Sequence, residues 1–177
     1  MTLETTRLLL RPWEESDAES CYRYASDPFV GSIAGWPVHT SVENSREIIK
    51  TVLSKPDTFA VVLKEKPDEV VGSVGVFPTD APGAEGESEI GYWIGRPFWG
   101  RGLIPEAVRE LLRYCFEEKG AQRVWCSHYI GNEKSKRVIE KCGFSYELKR
   151  EMPTLVDNAP RLTLFYALTK EKWEESR

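Results

Sequence analysis

Apolar and polar positions divide the chain into short strands and amphipathic helices. Short apolar runs bounded by turn residues predict seven strands, at residues 7–13, 58–64, 70–77, 88–95, 122–129, 144–152 and 161–169. Apolar residues at helical spacing predict four helices, at residues 14–28, 40–55, 102–118 and 132–142.

The helix ends carry recognisable signals. Ser41 is a candidate N-cap of the second helix, Pro28 is expected to close the first, and Gly120 to end the third. The order is strand, two helices, three strands, helix, strand, helix and two strands. It predicts a single domain over residues 1–177, of α/β or α+β class. We expect a mixed, mostly antiparallel sheet of about seven strands flanked by four helices.

Charge and cysteine content narrow the function classes. The formal net charge is -4, which argues against direct nucleic-acid binding. No apolar run reaches transmembrane length, so we expect no membrane contact and a cytoplasmic location. Four cysteines without a C-x-x-C pair and only two histidines argue against a metal site. We expect the cysteines to be free thiols, mostly buried.

A glycine turn joins a predicted strand to a predicted helix at Gly100-Arg101-Gly102. The first backbone N–H groups of a helix are unpaired and carry partial positive charge, so such a turn can bind an anion. It is equally compatible with a simple tight turn. Leu103 and Ile104 exclude a Walker loop, and Pro105 stands where a dinucleotide fingerprint needs glycine.

A second segment of interest is NEKSKRVIEKCGF, residues 132–144. Asn132 is a plausible N-cap and Gly143 a helix stop. Several cations lie on this helix, namely Lys134, Lys136, Arg137 and Lys141. Taken alone, the segment is equally well explained as a capped, solvated helix.

Together these segments resemble the GNAT acetyltransferases, which use acetyl-coenzyme A. The similarity is greatest to the branch of ribosomal-protein N-terminal (alanine/serine) acetyltransferases. TRLLLRPWEESDAE, SEIGYWI, FWGRGLIPEA and GNEKSKRVIEKCGF match that branch in order, so the resemblance covers nearly the whole chain.

The resemblance implies a sheet whose fourth and fifth strands splay apart, with acetyl-CoA in the gap. It implies that backbone groups of Tyr92, Trp93 and Ile94 pair with the pantetheine arm. It assigns Asn132 and Ser135 to the pantetheine and thiol side and Arg137 to the 3′-phosphate. The pyrophosphate is expected at Trp99, Gly100, Arg101, Gly102, Leu103 and Ile104.

The sequence departs from the family pattern at two positions. Many members have Gln or Arg where this chain has Pro97, and a tyrosine general acid where it has Ile139. In the ribosomal-protein branch a serine often takes the tyrosine's role, and Ser135 occupies that position. We therefore expect Ser135 to be catalytic, as the group that protonates or hydrogen-bonds the leaving thiolate.

Acetyl transfer to nitrogen needs a neutral amine, so we expect the site to contain a base that removes a proton from the amine. Glu89, near the start of its strand, is the candidate, although a carboxylate there also attracts a cationic acceptor without acting as a base. The loop at residues 31–40 offers Trp36 and His39 as acceptor contacts beside Glu89.

The acceptor itself is left open at this level. It is an amine, either a protein N-terminus or a small molecule such as an aminoglycoside or polyamine. A non-enzymatic acyl-CoA-binding module is the alternative of a different class. An exposed late strand also makes a homodimer possible.

Overall fold

The computed structural model describes residues 1–177 and contains one eight-stranded sheet. Its order is β1-β2-β3-β4-β5-β6-β8-β7, and every neighbouring pair is antiparallel except β5 and β6. The strands are β1 Leu3–Glu4, β2 Leu8–Arg11, β3 Thr58–Leu63, β4 Lys66–Pro78, β5 Ser88–Ile94, β6 Arg123–Tyr129, β7 Ser145–Pro153 and β8 Pro160–Thr169.

Six α-helices cover the sheet. They are α1 Ala18–Ala25, α2 Pro28–Ala34, α3 Val42–Ile48, α4 Leu103–Arg113, α5 Glu133–Lys141 and α6 Lys170–Glu175. Two of them continue through one wider turn, α3 into Ile49–Leu53 and α4 into Tyr114–Glu118. None of these helices is long and apolar enough to cross a lipid bilayer.

The two faces of the sheet carry different partners because side chains alternate along a strand. On one face, Ile90 and Ile94 join the main core together with Leu111 of α4. We call this the α4 face; α5 also packs there, against β6. On the opposite face, the α1 face, Trp93 packs against a smaller core that includes Cys21 of α1.

The parallel pair β5–β6 is short. It is hydrogen-bonded only where Ser88 faces Val124 and Glu89 faces Trp125, after which the two strands diverge. The gap lies at the carboxyl ends of both strands. The N-terminus of α4 follows β5 and that of α5 follows β6, so both helix starts lie beside the gap.

All seven predicted strands and all four predicted helices are present. The short β1 was missed, so the strands expected as fourth and fifth are β5 and β6. The N-caps Ser41 and Asn132 are confirmed, since each side chain accepts a bond from a first-turn N–H.

Two helices were missed. Pro28 does not merely close the first helix; it is the first residue of α2, whose N-cap Asp27 accepts a bond from the Phe29 N–H. Part of the expected loop at residues 31–40 is therefore helical. The six-residue α6 buries only Trp173, too little to give a periodic signal.

The expectation about cysteines is confirmed: all four are free and buried. Burial raises the pKa of the Cys21 and Cys115 thiols to about 12. A thiol that stays protonated at neutral pH is a poor nucleophile.

Candidate active site

A cavity of about 570 Å³ opens at the splayed end of β5 and β6. The Trp99 turn forms one rim and the start of α5 another, and Lys134 bridges them with its Nζ 3.3 Å from the Trp99 ring centre. The remaining lining includes Tyr92, Trp93, Ile94, Gly100, Gly102, Leu103, Ile104, Asn132, Ser135, Arg137 and Lys141. We call this space the cofactor cavity.

The glycine turn is built to receive an anion. Gly100 and Gly102 have φ of 72° and 74°, left-handed values that favour glycine. None of the backbone N–H groups from Gly100 to Ile104 donates to another group of the protein. These donors lie at the N-terminus of α4, where the helix dipole adds positive potential.

Backbone groups of β5 also face the gap. The Ile90 carbonyl accepts a bond from Cys126 Sγ at 3.3 Å, and the Ile94 carbonyl accepts one from Trp99 Nε1 at 3.0 Å. Because alternate residues of a strand present their N–H and C=O groups to the same side, those of Tyr92 also point into the gap. Those of Trp93 turn toward β4.

A second cavity, of about 450 Å³, lies on the α1 face and is called the acceptor cavity. Alternation brings its sheet residues to one face, among them Gly75 and Phe77 of β4, Glu89 and Gly91 of β5, and Ser127 of β6. Its outer wall adds Trp36, Val52, Leu53, Asp80 and Leu155. The wall combines apolar side chains with two carboxylates.

The two cavities meet through the sheet. Five residues line both of them: Ala34, Tyr92, Trp93, Asn132 and Ser135. A ligand that occupies the cofactor cavity therefore reaches the acceptor cavity only at this junction. Any group passed from one side to the other must pass there.

Glu89 stands in the acceptor cavity between two hydroxyl donors. Thr79 Oγ1 donates to its Oε2 at 2.8 Å, and Ser127 Oγ donates to its Oε1. Burial raises the pKa of the Glu89 carboxyl above its ordinary value, and the two hydroxyl bonds offset only part of that rise. A carboxylate accepts about four hydrogen bonds, so Glu89 can also accept one from a ligand.

Ser135 lies in the first turn of α5, at the junction. Asn132 Oδ1 accepts a bond from the Ser135 N–H at 3.2 Å and so fixes the helix start. The Ser135 hydroxyl lies 2.8 Å from the phenol oxygen of Tyr92. Burial raises the pKa of that phenol well above its ordinary value, so it stays protonated.

Two predicted residues lie outside both cavities. The Arg101 side chain turns to Glu65 at 3.5 Å. His39 is 6% exposed and its Nδ1 lies 2.8 Å from Ser45 Oγ; burial lowers its pKa to about 4. The structure therefore brings neither side chain to the candidate site, whereas Trp36 does line the acceptor cavity.

Sequence reasoning missed three polar side chains of the site. They are Thr79 and Ser127, which hold Glu89, and the Tyr92 phenol, of which only the backbone was considered. Strand alternation could have indicated the Tyr92 phenol in part, since it places that side chain on the opposite face of the sheet from Glu89 and Trp93. The pairing of Ser127 with Glu89 needs the β5–β6 register, which no local pattern specifies.

Comparison with known proteins gives the family. Residues 7–145 match the family model described as "Acetyltransferase (GNAT) domain". The chain belongs to the GNAT acetyltransferases. Members transfer an acetyl group from acetyl-CoA to an amine, and the open glycine turn with its free N–H donors fits that cosubstrate.

Relatives and solved structures agree. The chain is 34% identical to the uncharacterised N-acetyltransferase p20 of Bacillus licheniformis over 151 residues, 82% of this chain and 83% of that protein. It is 24% identical to the ribosomal protein uS5 alanine N-acetyltransferase of Escherichia coli, over 97% of this chain and 80% of that protein. The crystal structure of a GNAT acetyltransferase from Bacillus anthracis superposes with a TM-score of 0.83 and is 26% identical in sequence. The superposition covers 97% of this chain and 99% of that chain. The E. coli relative, over nearly the whole chain, confirms the resemblance to the ribosomal-protein branch.

Gly100→Ala tests the turn. No protein atom lies near the added methyl group, and Gly100 lines the cofactor cavity. The methyl group should therefore keep a phosphate from approaching the backbone N–H groups closely. We expect CoA to bind about tenfold more weakly, the equivalent of one lost charge-assisted hydrogen bond. The left-handed φ also costs about 1–2 kcal/mol of stability. Calorimetry with CoA and thermal unfolding measure the two effects.

Gly120→Ala is the matched control. Gly120 has φ of 71° and open space around it, but it lines neither cavity. It should lose similar stability with unchanged CoA affinity. Equal CoA affinities for both variants would exclude the turn from binding.

Proposed function

We propose that the protein acetylates the α-amine of a protein N-terminus, with acetyl-CoA as donor. The observation that carries this proposal is the junction, where Ser135 and Tyr92 meet a second cavity that holds a half-buried carboxylate. The two cavities allow donor and acceptor to be bound together. Such positioning alone contributes roughly 7–11 kcal/mol to catalysis.

The geometry of the cofactor cavity supports the following cofactor-side roles. When bound, acetyl-CoA supplies a thioester whose carbonyl carbon accepts the amine and whose thiolate departs. In this proposal the N–H groups of Gly100 to Ile104 bind the pyrophosphate, and the Tyr92 carbonyl pairs with the pantetheine arm. Arg137 is free of salt-bridge partners in the cofactor cavity and is assigned to the 3′-phosphate.

Glu89 is proposed as the base. It accepts a proton from the amine, directly or through water, as the new C–N bond forms. Thr79 and Ser127 orient the carboxylate toward the cavity. Its raised pKa makes it a better proton acceptor than an exposed glutamate.

Two other groups serve the developing charges. The Tyr92 N–H, which points into the gap, stabilises the oxyanion. As the C–S bond breaks, the Ser135 hydroxyl donates a hydrogen bond to the departing thiolate, which takes its proton from solvent, and the Tyr92 phenol holds Ser135 in place. Because burial raises the pKa of that phenol, it keeps its proton and acts through its hydrogen bonds to Ser135.

The acceptor class is inferred from the strength of the base. An α-amine has a pKa of about 8 and is roughly one-tenth neutral at pH 7, whereas a lysine with pKa about 10.4 is neutral in roughly one molecule in 2,500. A carboxylate suffices for the first and is weak for the second. The E. coli relative that acts on a ribosomal-protein alanine supports the same class.

An acceptor panel tests the proposal. We expect thiol release with peptides that have a free N-terminal alanine or serine, and none after that amine is blocked. Turnover with polyamines or aminoglycosides but not with peptides would replace the proposal by a small-molecule acetyltransferase. Tight CoA binding with no turnover on any acceptor would indicate a binding module.

Glu89→Gln tests the base. We expect kcat/KM to fall about 10²-fold at pH 7, because the variant cannot take the proton. The loss should shrink as the pH rises above the pKa of the acceptor amine, where the amine is already neutral. Glu89 leaves the mechanism if the variant keeps the wild-type pH profile of kcat/KM.

The same variant has an opposite effect on stability. When a carboxyl has a raised pKa in the folded protein, the protein loses stability as the pH rises through that pKa, because the charged form is poorly solvated in the fold. We therefore expect Glu89→Gln to raise the melting temperature at pH 7–8 and to give no gain below pH 4. Thermal unfolding against pH measures this and also controls for misfolding.

Ser135→Ala and Tyr92→Phe test the hydrogen-bonded pair of hydroxyls beside the thiolate. Each should lower kcat, by about tenfold for Ser135→Ala and less for Tyr92→Phe, with CoA affinity unchanged. The double variant should be no slower than Ser135→Ala, because the two hydroxyls act in series. Additive losses in kcat would refute the coupling.

A further inference from the structure

Arg7, in the N-terminal motif to which no role has been assigned, contacts the glycine turn from outside the cofactor cavity. Its Nη1 donates to the Arg101 carbonyl at 2.9 Å. Its Nε donates to Glu106 Oε2 at 2.7 Å and its backbone N–H to Glu106 Oε1 at 2.8 Å. Arg7 lines neither cavity. One guanidinium thus joins the turn to the first turn of α4.

The carbonyl bond fixes the direction of one N–H donor. The Arg101–Gly102 peptide is trans, and in a trans peptide the C=O and N–H groups point in opposite directions. Since the Arg101 carbonyl is held toward Arg7, the Gly102 N–H points away from Arg7, and Gly102 lines the cofactor cavity whereas Arg7 does not. The Arg7 guanidinium lies beside Gly102, with its Nη2 3.6 Å from where a Cβ on that residue would stand.

Arg7 also compensates a charge next to the anion site. Glu106 follows the glycine turn by four residues, and its negative charge would repel a pyrophosphate bound at the start of α4. Arg7 pairs with this carboxylate, and Thr5 Oγ1 donates to it as well. The neighbourhood of the turn is therefore not left negative.

We infer that Arg7 is a positioning residue for pyrophosphate binding, which orients the Gly102 N–H and neutralises Glu106. This rests on the proposed role of the glycine turn. The bond to the carbonyl and the bond to the carboxylate come from different nitrogens of one planar fork. A lysine can keep the ion pair but cannot reproduce this geometry.

The experiment measures the affinities of Arg7→Ala and Arg7→Lys for three ligands by calorimetry, with no acceptor present. CoA and dephospho-CoA carry the pyrophosphate, whereas pantetheine lacks it and is measured by competition. We expect Arg7→Ala to bind CoA and dephospho-CoA about tenfold more weakly and Arg7→Lys to show part of that loss, because it keeps only the ion pair, with pantetheine unchanged in both. Arg7→Lys should retain near-wild-type thermal stability.

Arg123→Ala is the control, because Arg123 forms a comparable two-nitrogen pair with Glu87 outside both cavities. It should lose stability without losing CoA affinity. Three outcomes would overturn the inference: full recovery of CoA affinity in Arg7→Lys, an equal loss for pantetheine, or no loss in Arg7→Ala. If wild-type protein binds CoA no better than pantetheine, the role of the glycine turn itself fails, which is seen before any variant is made.

Discussion

The site depends on the early end of the hydrogen-bonded ladder between β5 and β6. Two residue pairs hold the strands together, and beyond them the backbone of β5 has no strand partner on that side. Buried unpaired backbone groups are costly. Cys126 and Trp99 satisfy the carbonyls of Ile90 and Ile94 from their side chains, which leaves the Tyr92 groups available to a ligand. The gap is therefore held open by specific side chains.

Strand alternation distributes the chemistry around this gap. Glu89 and Trp93 lie on the α1 face with the acceptor cavity, whereas the Tyr92 side chain crosses to the α4 face and meets Ser135. The backbone of Tyr92 lies between them in the gap itself. The proposed base on one side, the proposed thiolate contact on the other and the N–H donor between them thus come from four consecutive positions of one strand and the start of α5.

The sequence predicts most elements of this arrangement, since strands, helices and caps depend on local patterns. It identifies the glycine turn because left-handed backbone favours glycine, and it identifies Asn132 because capping is local. The prediction is wrong where the direction of a side chain decides whether it reaches the site. Arg101 lies in the turn but faces Glu65, and His39 follows Trp36 closely but is buried against Ser45. The domain assignment and the roles of the site residues stay predictions.

Stability and function oppose each other at two places in this fold. Glu89 places a half-buried carboxyl, whose pKa is raised by burial, in the acceptor cavity, and the glycine turn has a row of N–H donors without protein partners. Neither feature improves packing, and the proposed function accounts for both, since an amine acceptor would bring a proton to Glu89 and CoA would bring negative charge to the turn. Natural proteins depart from local stability rules mainly at functional sites. The role inferred for Arg7 agrees with this, because Arg7 would orient the Gly102 N–H without accepting a hydrogen bond from it. The rigidity needed for binding is then supplied by an element far away in the sequence.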